Sequence, residues 1–167
     1  LLSVGIITAS DKGARGERED ISGRTIAEVL NGLGEVRHYV VVPDEQALLS
    51  KEIINMVDNI KVDLVLTTGG TGFAPRDVTP EATLAVIDRQ VPGIPEAMRA
   101  KSLGLTPRAM LSRAVAGIRG RSLIINLPGS PKGVKECLEV VLPVLEHGLA
   151  ILKGEAAECG QEIKENR

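Results

Sequence analysis

Short apolar runs alternate with helical patterns from residue 2 to 152, which leaves this chain few folds to adopt. Leu2 to Ala9 (LSVGIITA) is apolar and β-branched, as a buried parallel strand requires. A polar loop is expected over 10–21. A helix follows over about 23–33, with Ser22 as its N-cap, Ile26, Val29, Leu30 and Leu33 on one face, and Gly34 at its end. Glu35 to Val42 reads as a second strand, stopped by Pro43. Asp44 suits the N-cap of a helix to about Asn59, striped by Leu49, Ile53, Met56, Val57 and Ile60. Val62 to Thr67 is a third strand, and a Gly-rich loop leads from it to Thr79-Pro80-Glu81. There Thr is expected as N-cap and Pro at the first helical position of a helix to about Arg89. Helical stretches are expected near 93–103 and after Thr106-Pro107. Strands are expected at Ala114 to Ile118 and Ser122 to Leu127, paired as a hairpin at Gly120. A last helix runs from about 131 to 152, interrupted or kinked at Pro143. This order predicts an α/β sandwich on a largely parallel sheet, with one domain over 1–154 and a polar tail over 155–167.

Composition narrows the function classes. Hydrophobic residues make up 43% of the 167-residue chain and charged residues 25%, which is globular rather than disordered. A net charge of -2 argues against a nucleic-acid surface, which needs a basic excess. Phe73 and Tyr39 are the sole aromatics, so the core must be aliphatic. The two histidines, His38 and His147, exclude a multi-histidine metal site. Of the two cysteines, Cys137 falls on an apolar helix face and Cys159 in the tail, so no disulfide scaffold is implied. No apolar run approaches the ~18 residues of a membrane span. The chain opens directly on a strand with no signal pattern before it, so a cytoplasmic location is expected.

In a parallel sheet the loops leaving the strands' carboxyl ends share one edge, and ligands bind there. Four such exits carry polar residues: Ser10-Asp11, Pro43-Asp44-Glu45, Thr68 to Asp77, and Asn126 to Pro131. Gly69-Gly70-Thr71-Gly72 is the strongest signal, because three glycines remove the Cβ atoms that would hold a ligand off the backbone. N–H groups freed in this way suit phosphate. The loop is neither a Walker A motif nor a dinucleotide fingerprint, since no Gly-Lys-Ser/Thr follows and Pro75 stands where the last glycine would fall. Asp77, just beyond it, either caps the next helix, a role Thr79 fills better, or is a carboxylate that holds Mg²⁺ beside a phosphate cradle. Asp44 reads equally as a helix cap, and Ser10 and Asp11 as a loop turn or a ligand contact. Arg76 and Lys132 suit an anion or solvent. Asn126-Leu-Pro-Gly-Ser-Pro131 makes a rigid turn with exposed N–H groups, and Ser112-Arg113 either caps a turn or meets a ligand.

Thr67-Thr-Gly-Gly-Thr-Gly-Phe-Ala-Pro-Arg-Asp-Val-Thr-Pro-Glu-Ala-Thr83 resembles the signature of the molybdopterin adenylyltransferases, the family of the Mog-type proteins and the gephyrin G domain. The likeness extends to Ser10-Asp11, Pro43-Asp44-Glu45, Met110-Leu-Ser-Arg113, Ala116-Gly-Ile-Arg-Gly120 and Asn126 to Pro131. It implies a three-layer α/β/α fold and a homotrimer. It also implies transfer of the adenylyl group of Mg²⁺-ATP to molybdopterin with release of pyrophosphate, and a separate molybdenum insertase as partner. By motif, Asp77 would be the essential carboxylate, holding Mg²⁺ or orienting phosphates, and Asp44 a second acid. Gly69 to Gly72 would cradle the nucleotide, Thr68, Ser10 and Asp11 would contact substrate, and Ser112, Asn126, Pro128, Gly129 and Ser130 would hold pterin or nucleotide. Ser130 departs from the Asn or Gln common in relatives. The alternatives are a non-catalytic molybdopterin-binding or scaffold domain, a Mg²⁺-dependent phosphatase or nucleotide hydrolase built on Asp77, and a structural trimerisation unit. The hydrolase lacks a base to activate water.

Overall fold

A computed structural model describes residues 1–155. Its centre is a six-stranded sheet in the order β2-β1-β3-β6-β5-β4. Strands β1 (Leu2–Ala9), β2 (Gly34–Val42), β3 (Leu64–Thr68) and β6 (Ser122–Leu127) run parallel. Strand β5 (Ala116–Arg119) pairs antiparallel with β6, and the short β4 (Arg89–Gln90) antiparallel with β5. The expected hairpin therefore forms, and Gly120 makes its turn at φ +57°.

Side chains alternate across the strands and divide the core in two. Val4 and Ile6 of β1, Leu64 and Leu66 of β3, and Ile125 and Leu127 of β6 face one layer, formed by α2 (Ile21–Val29), α5 (Gly93–Leu103) and α6 (Pro131–Leu152). Ile7, Val65 and Ile124 face the other, formed by α3 (Gln46–Ile54) and α4 (Thr79–Leu84). These strands bury apolar residues on both faces, which explains their continuous apolar runs. Each fully buried Ile or Leu contributes about 1.5–3 kcal/mol. Cys137 joins the α6 face of the core, as expected.

Several local expectations are corrected. The loop over 10–21 contains one helical turn, α1 (Asp11–Ala14), closed where Ser10 Oγ accepts from Gly13 N at 2.9 Å. The N-cap of α2 is Asp20 rather than Ser22, since the Asp20 carboxylate accepts from Gly23 N at 3.0 Å. Ser22 is buried and donates to Gly129 O at 2.6 Å. Asp44 does not cap α3, whose N-cap position is held by Glu45 without a side-chain bond. That helix continues as a π-turn over Asn55–Ile60, which ends at Lys61 in the left-handed region. Thr79 does not cap α4 either, because its hydroxyl donates to Gly69 O at 3.0 Å. That helix stops at Leu84, short of the expected Arg89, which enters β4. Helix α6 passes through Pro143 unbroken, and the proline is exposed, so water can satisfy the carbonyl it frees. Apart from Glu155, the tail expected over 155–167, with Cys159, lies outside the described residues.

Candidate active site

The carboxyl ends of β1, β2, β3 and β6 meet at one edge of the sheet, and all four expected exits lie there. The loop between β3 and α4 stands up from this edge and separates two cavities.

On one side is a polar cleft of about 650 Å³. It gathers Ser10, Asp11, Asp44, Thr68, Gly69, Gly70, Asp77 and Gly129 from the four exits. Asp11 and Asp44 are locked to each other. Asp11 N donates to Asp44 Oδ2 at 2.9 Å, and Asp44 N donates to Asp11 Oδ1 at 3.0 Å. Arg76 reaches over from the β3 loop and grips Asp11 with two bonds, at 2.9 and 2.8 Å. That guanidinium holds the Asp11 carboxyl below the usual range. Burial pushes the Asp44 carboxyl up, and the neighbouring charges of Asp11 and Asp77 add to it. Asp77 folds back on its own loop, where its Oδ2 accepts from Ala74 N at 2.9 Å.

The glycines let this loop pass between the acids. Gly69 and Gly70 adopt φ +89° and +69°. A Cβ on Gly70 would lie 2.3 Å from Thr79 Oγ1 and 3.3 Å from Asp44 Oδ1. One on Gly72 would lie 2.9 Å from Asp77 Oδ2. The backbone of Gly70 and Gly72 is thus threaded closely between Asp44 and Asp77, where no Cβ would fit without displacing a neighbour.

On the other side of the loop is a mostly apolar cavity of about 500 Å³, between the loop and helices α5 and α6. Met98, Leu105, Leu111 and Cys137 line it, Phe73 forms part of its wall at 71% exposure, and Arg99 and Lys132 supply charge. Lys132 is largely exposed and stands 3.9 Å from Glu136. Thr71, Gly72, Ser112, Pro128 and Ser130 belong to this side.

A family model described as a probable molybdopterin binding domain matches residues 5–147. The chain belongs to that family. It is 46% identical over 164 residues to the molybdopterin adenylyltransferase of Helicobacter pylori strain J99, covering 96% of this chain and 93% of that one. It is 44% identical over 160 residues to gephyrin of Dictyostelium discoideum, a match covering 89% of this chain and 22% of gephyrin. The crystal structure of the molybdopterin biosynthesis enzyme MoaB from Thermus thermophilus superposes with a TM-score of 0.88 at 54% identity, covering 95% of this chain and all of that one. The family resemblance and the mostly parallel, helix-flanked sheet expected from the sequence are both borne out.

One expected site residue opens into neither cavity. Asn126 is fully buried. It donates to Thr67 Oγ1 and Thr83 Oγ1, both at 3.0 Å, and accepts from Val115 N at 3.2 Å. All these bonds stay inside the protein, so Asn126 ties β6 to β3, α4 and the segment entering β5. Ser130 caps α6, accepting from Gly133 N at 3.0 Å, and in that role it needs no Asn or Gln.

Sequence reasoning missed Asp20, which lines the polar cleft. It accepts from Thr8 Oγ1 at 2.6 Å and from the Tyr39 hydroxyl, whose pKa burial and this carboxylate raise to about 12. The available signal was an acid three residues before Gly23, obscured by the serine chosen as cap. Arg113 stood in a quoted motif without an assigned partner. It proves to be the most connected side chain around the loop.

Proposed function

We infer that this chain transfers the adenylyl group of ATP to the terminal phosphate of molybdopterin. A phosphate oxygen of molybdopterin bonds to the ATP α-phosphorus, the bond from that phosphorus to the bridging oxygen breaks, and pyrophosphate leaves. The observation that carries this reading is the glycine backbone threaded between Asp44 and Asp77. It is a cradle for phosphates with acids on both sides. The names of the full-length relatives support the same activity. The attacking phosphate is already ionised at neutral pH, so no base is required, which accords with a cleft without histidine.

The donor set fits Mg²⁺. Its acids are oxygen ligands, and Asp44 is a half-buried carboxylate beside two others, whose charge a cation would relieve. No group of three or more His, Cys, Asp or Glu side chains converges on a metal position among the described residues. That suits an ion held by one or two carboxylates and completed by substrate phosphates. Asp77 and Asp44 are the residues to hold it, and when bound it would neutralise the transferring phosphate. Ser10, Asp11, Thr68, Gly69 and Gly70 line the phosphate path, and the apolar cavity with Phe73 suits a heterocyclic ring. A homotrimer, a cytoplasmic location and delivery of the product to a molybdenum insertase belong to the same reading. Gephyrin, in which the matching region is a fraction of a longer chain, supports a link to further domains. No helix is long and apolar enough to cross a membrane among the described residues.

The test is incubation with molybdopterin, Mg²⁺ and ATP, following adenylylated molybdopterin and pyrophosphate, with Asp77→Ala in parallel. Product from the wild type and none from a folded Asp77→Ala is the expected result. Tight molybdopterin binding without product would instead make the chain a binding domain.

A further inference from the structure

The loop that carries Asp77 is held from behind by one side chain. Arg113 lies between the 3-10 turn Pro107–Leu111 and β5, on the far side of the loop from Arg76. Its Nε donates to Gly72 O at 2.7 Å and its Nη2 to Asp77 O at 2.7 Å. Its Nη1 pairs with Glu81 in the first turn of α4, and its backbone N–H donates to Thr71 O at 2.9 Å. One guanidinium therefore bridges both ends of the 72–77 loop and ties them to the helix that follows. Arg113 is itself held. Arg99 of α5 donates through Nη1 to Ser112 O at 3.3 Å and to Ala114 O at 2.9 Å, the carbonyls on either side of residue 113.

We propose that Arg113 is a positioning residue for adenylyl transfer: by bridging Gly72 O, Asp77 O and Glu81 it fixes the distance between the glycine cradle and the Asp77 carboxylate. The proposal rests on the activity inferred above. Its physical basis is the planar fork of arginine, whose donors point in fixed directions and can satisfy three acceptors at once. A lysine keeps the charge and loses the bridge. The Asp77 carboxylate accepts from Ala74 N within the loop, a contact that moves with the loop. The other tie to the cradle lies two residues further on, where Thr79 N donates to Gly70 O at 3.1 Å and its hydroxyl to Gly69 O at 3.0 Å, so Arg113 is the side chain that holds the 72–77 segment itself. Arg76 holds the loop toward Asp11 from a largely exposed position. The semi-buried Arg113 is the firmer restraint.

Arg113→Lys and Glu81→Gln are the variants to compare with the wild type, in three measurements: kcat and KM for ATP and molybdopterin, thermal melting, and amide hydrogen exchange at Ala74 and Asp77. For Arg113→Lys we expect kcat to fall about 30- to 100-fold with KM for ATP within about twofold, the pattern of misplacement rather than lost binding. Exchange at Ala74 and Asp77 should quicken about tenfold while the strands keep their protection. Glu81→Gln leaves the two carbonyl bonds in place and should lose about 3- to 10-fold in kcat. It keeps the proposal testable should Arg113→Lys fail to fold. Unchanged kcat in a folded variant, or a loss that merely follows the folded fraction, overturns the proposal. If the wild type yields no adenylylated product, the activity reading falls. The exchange measurement still judges the restraint then, and unchanged loop exchange in Arg113→Lys rejects it too.

Discussion

The two cavities beside the Gly69–Val78 loop share a wall and differ in almost everything else. The cleft facing Asp11, Asp44 and Asp77 is polar, is built by residues from four strand exits, and is laced by hydrogen bonds between charged groups and backbone. The cavity facing Phe73 and Met98 is aliphatic and is built by α5, the 3-10 turn and α6. On the first side position is set by directional bonds, on the second by shape. Chemistry that needs charges held at fixed places belongs in the cleft, and recognition of an apolar ring face belongs in the cavity. Substitutions on the two sides should therefore fail differently: turnover should suffer on the polar side, and substrate affinity on the apolar side.

The largest effect is expected from Asp77→Asn. The asparagine oxygen can still accept from Ala74 N, so the loop and the melting temperature should be kept. Turnover should fall about 10³-fold, the scale for removing a group that organises transition-state charge. Single-turnover assays on the folded variant read this directly. Activity within tenfold of the wild type would erase the distinction between the two cavities.

Gly70→Ala probes the same side through the backbone. The alanine would be strained at φ +69° and would press on Thr79 Oγ1. A cost of about 2–3 kcal/mol follows, seen as a melting temperature lower by about 6 °C. Turnover should fall along with stability, because the cradle itself is displaced. A variant as stable as the wild type would mean the loop can take another path.

Phe73→Ala sharpens the contrast from the other side. Phe73 is mostly exposed, so its removal should change stability by no more than about 0.5 kcal/mol. KM for one of the two ring-bearing substrates should rise about tenfold with kcat nearly unchanged, since an aromatic face lost to a ring costs about 1–2 kcal/mol. Steady-state kinetics with each substrate varied in turn show which ring is involved. If neither KM moves, the apolar cavity is not the ring site.

The contrast also explains what the sequence could reveal. Strands β1, β3 and β6 were legible because burial on both faces writes an unbroken apolar run, and the glycines of the loop were legible because backbone at positive φ packed against Ala9, Thr79 and Asp44 tolerates little else. Asp44 was not resolved between cap and ligand group, because Pro-Asp-Glu suits both. The answer lay in Asp11, 33 residues away, which exchanges backbone-to-carboxylate bonds with it. Arg113 and Asn126 show the same limit in opposite directions. One was left between a turn cap and a ligand contact and holds the loop, while the other was assigned to substrate and is spent on Thr67 and Thr83. Both are defined by partners distant in sequence, which spacing along the chain does not encode.

The smallest expected effect separates stability from function within the cleft. Burial raises the Asp44 carboxyl above its ordinary value of 3.8, so the folded protein holds that proton more tightly than the unfolded chain does. The stability attached to this proton is complete below the ordinary value and is lost as pH rises through the raised one. At neutral pH the ionised Asp44 is therefore a cost to the fold. Asp11 has the opposite sign, because Arg76 lowers its carboxyl and its contribution is lost as pH falls through that lowered value. Asp44→Asn keeps an oxygen for Asp11 N and removes the half-buried charge. It should melt about 1–2 °C above the wild type at pH 7, after allowance for solvent screening. The difference should vanish as pH is lowered below about 4, where the wild-type carboxyl is also neutral. Melting curves across that range, taken beside turnover, decide it. A stabilised variant with little activity marks Asp44 as a charge kept for substrate at the expense of the fold. A variant less stable than the wild type at neutral pH would make Asp44 part of the scaffold that joins β2 to β1.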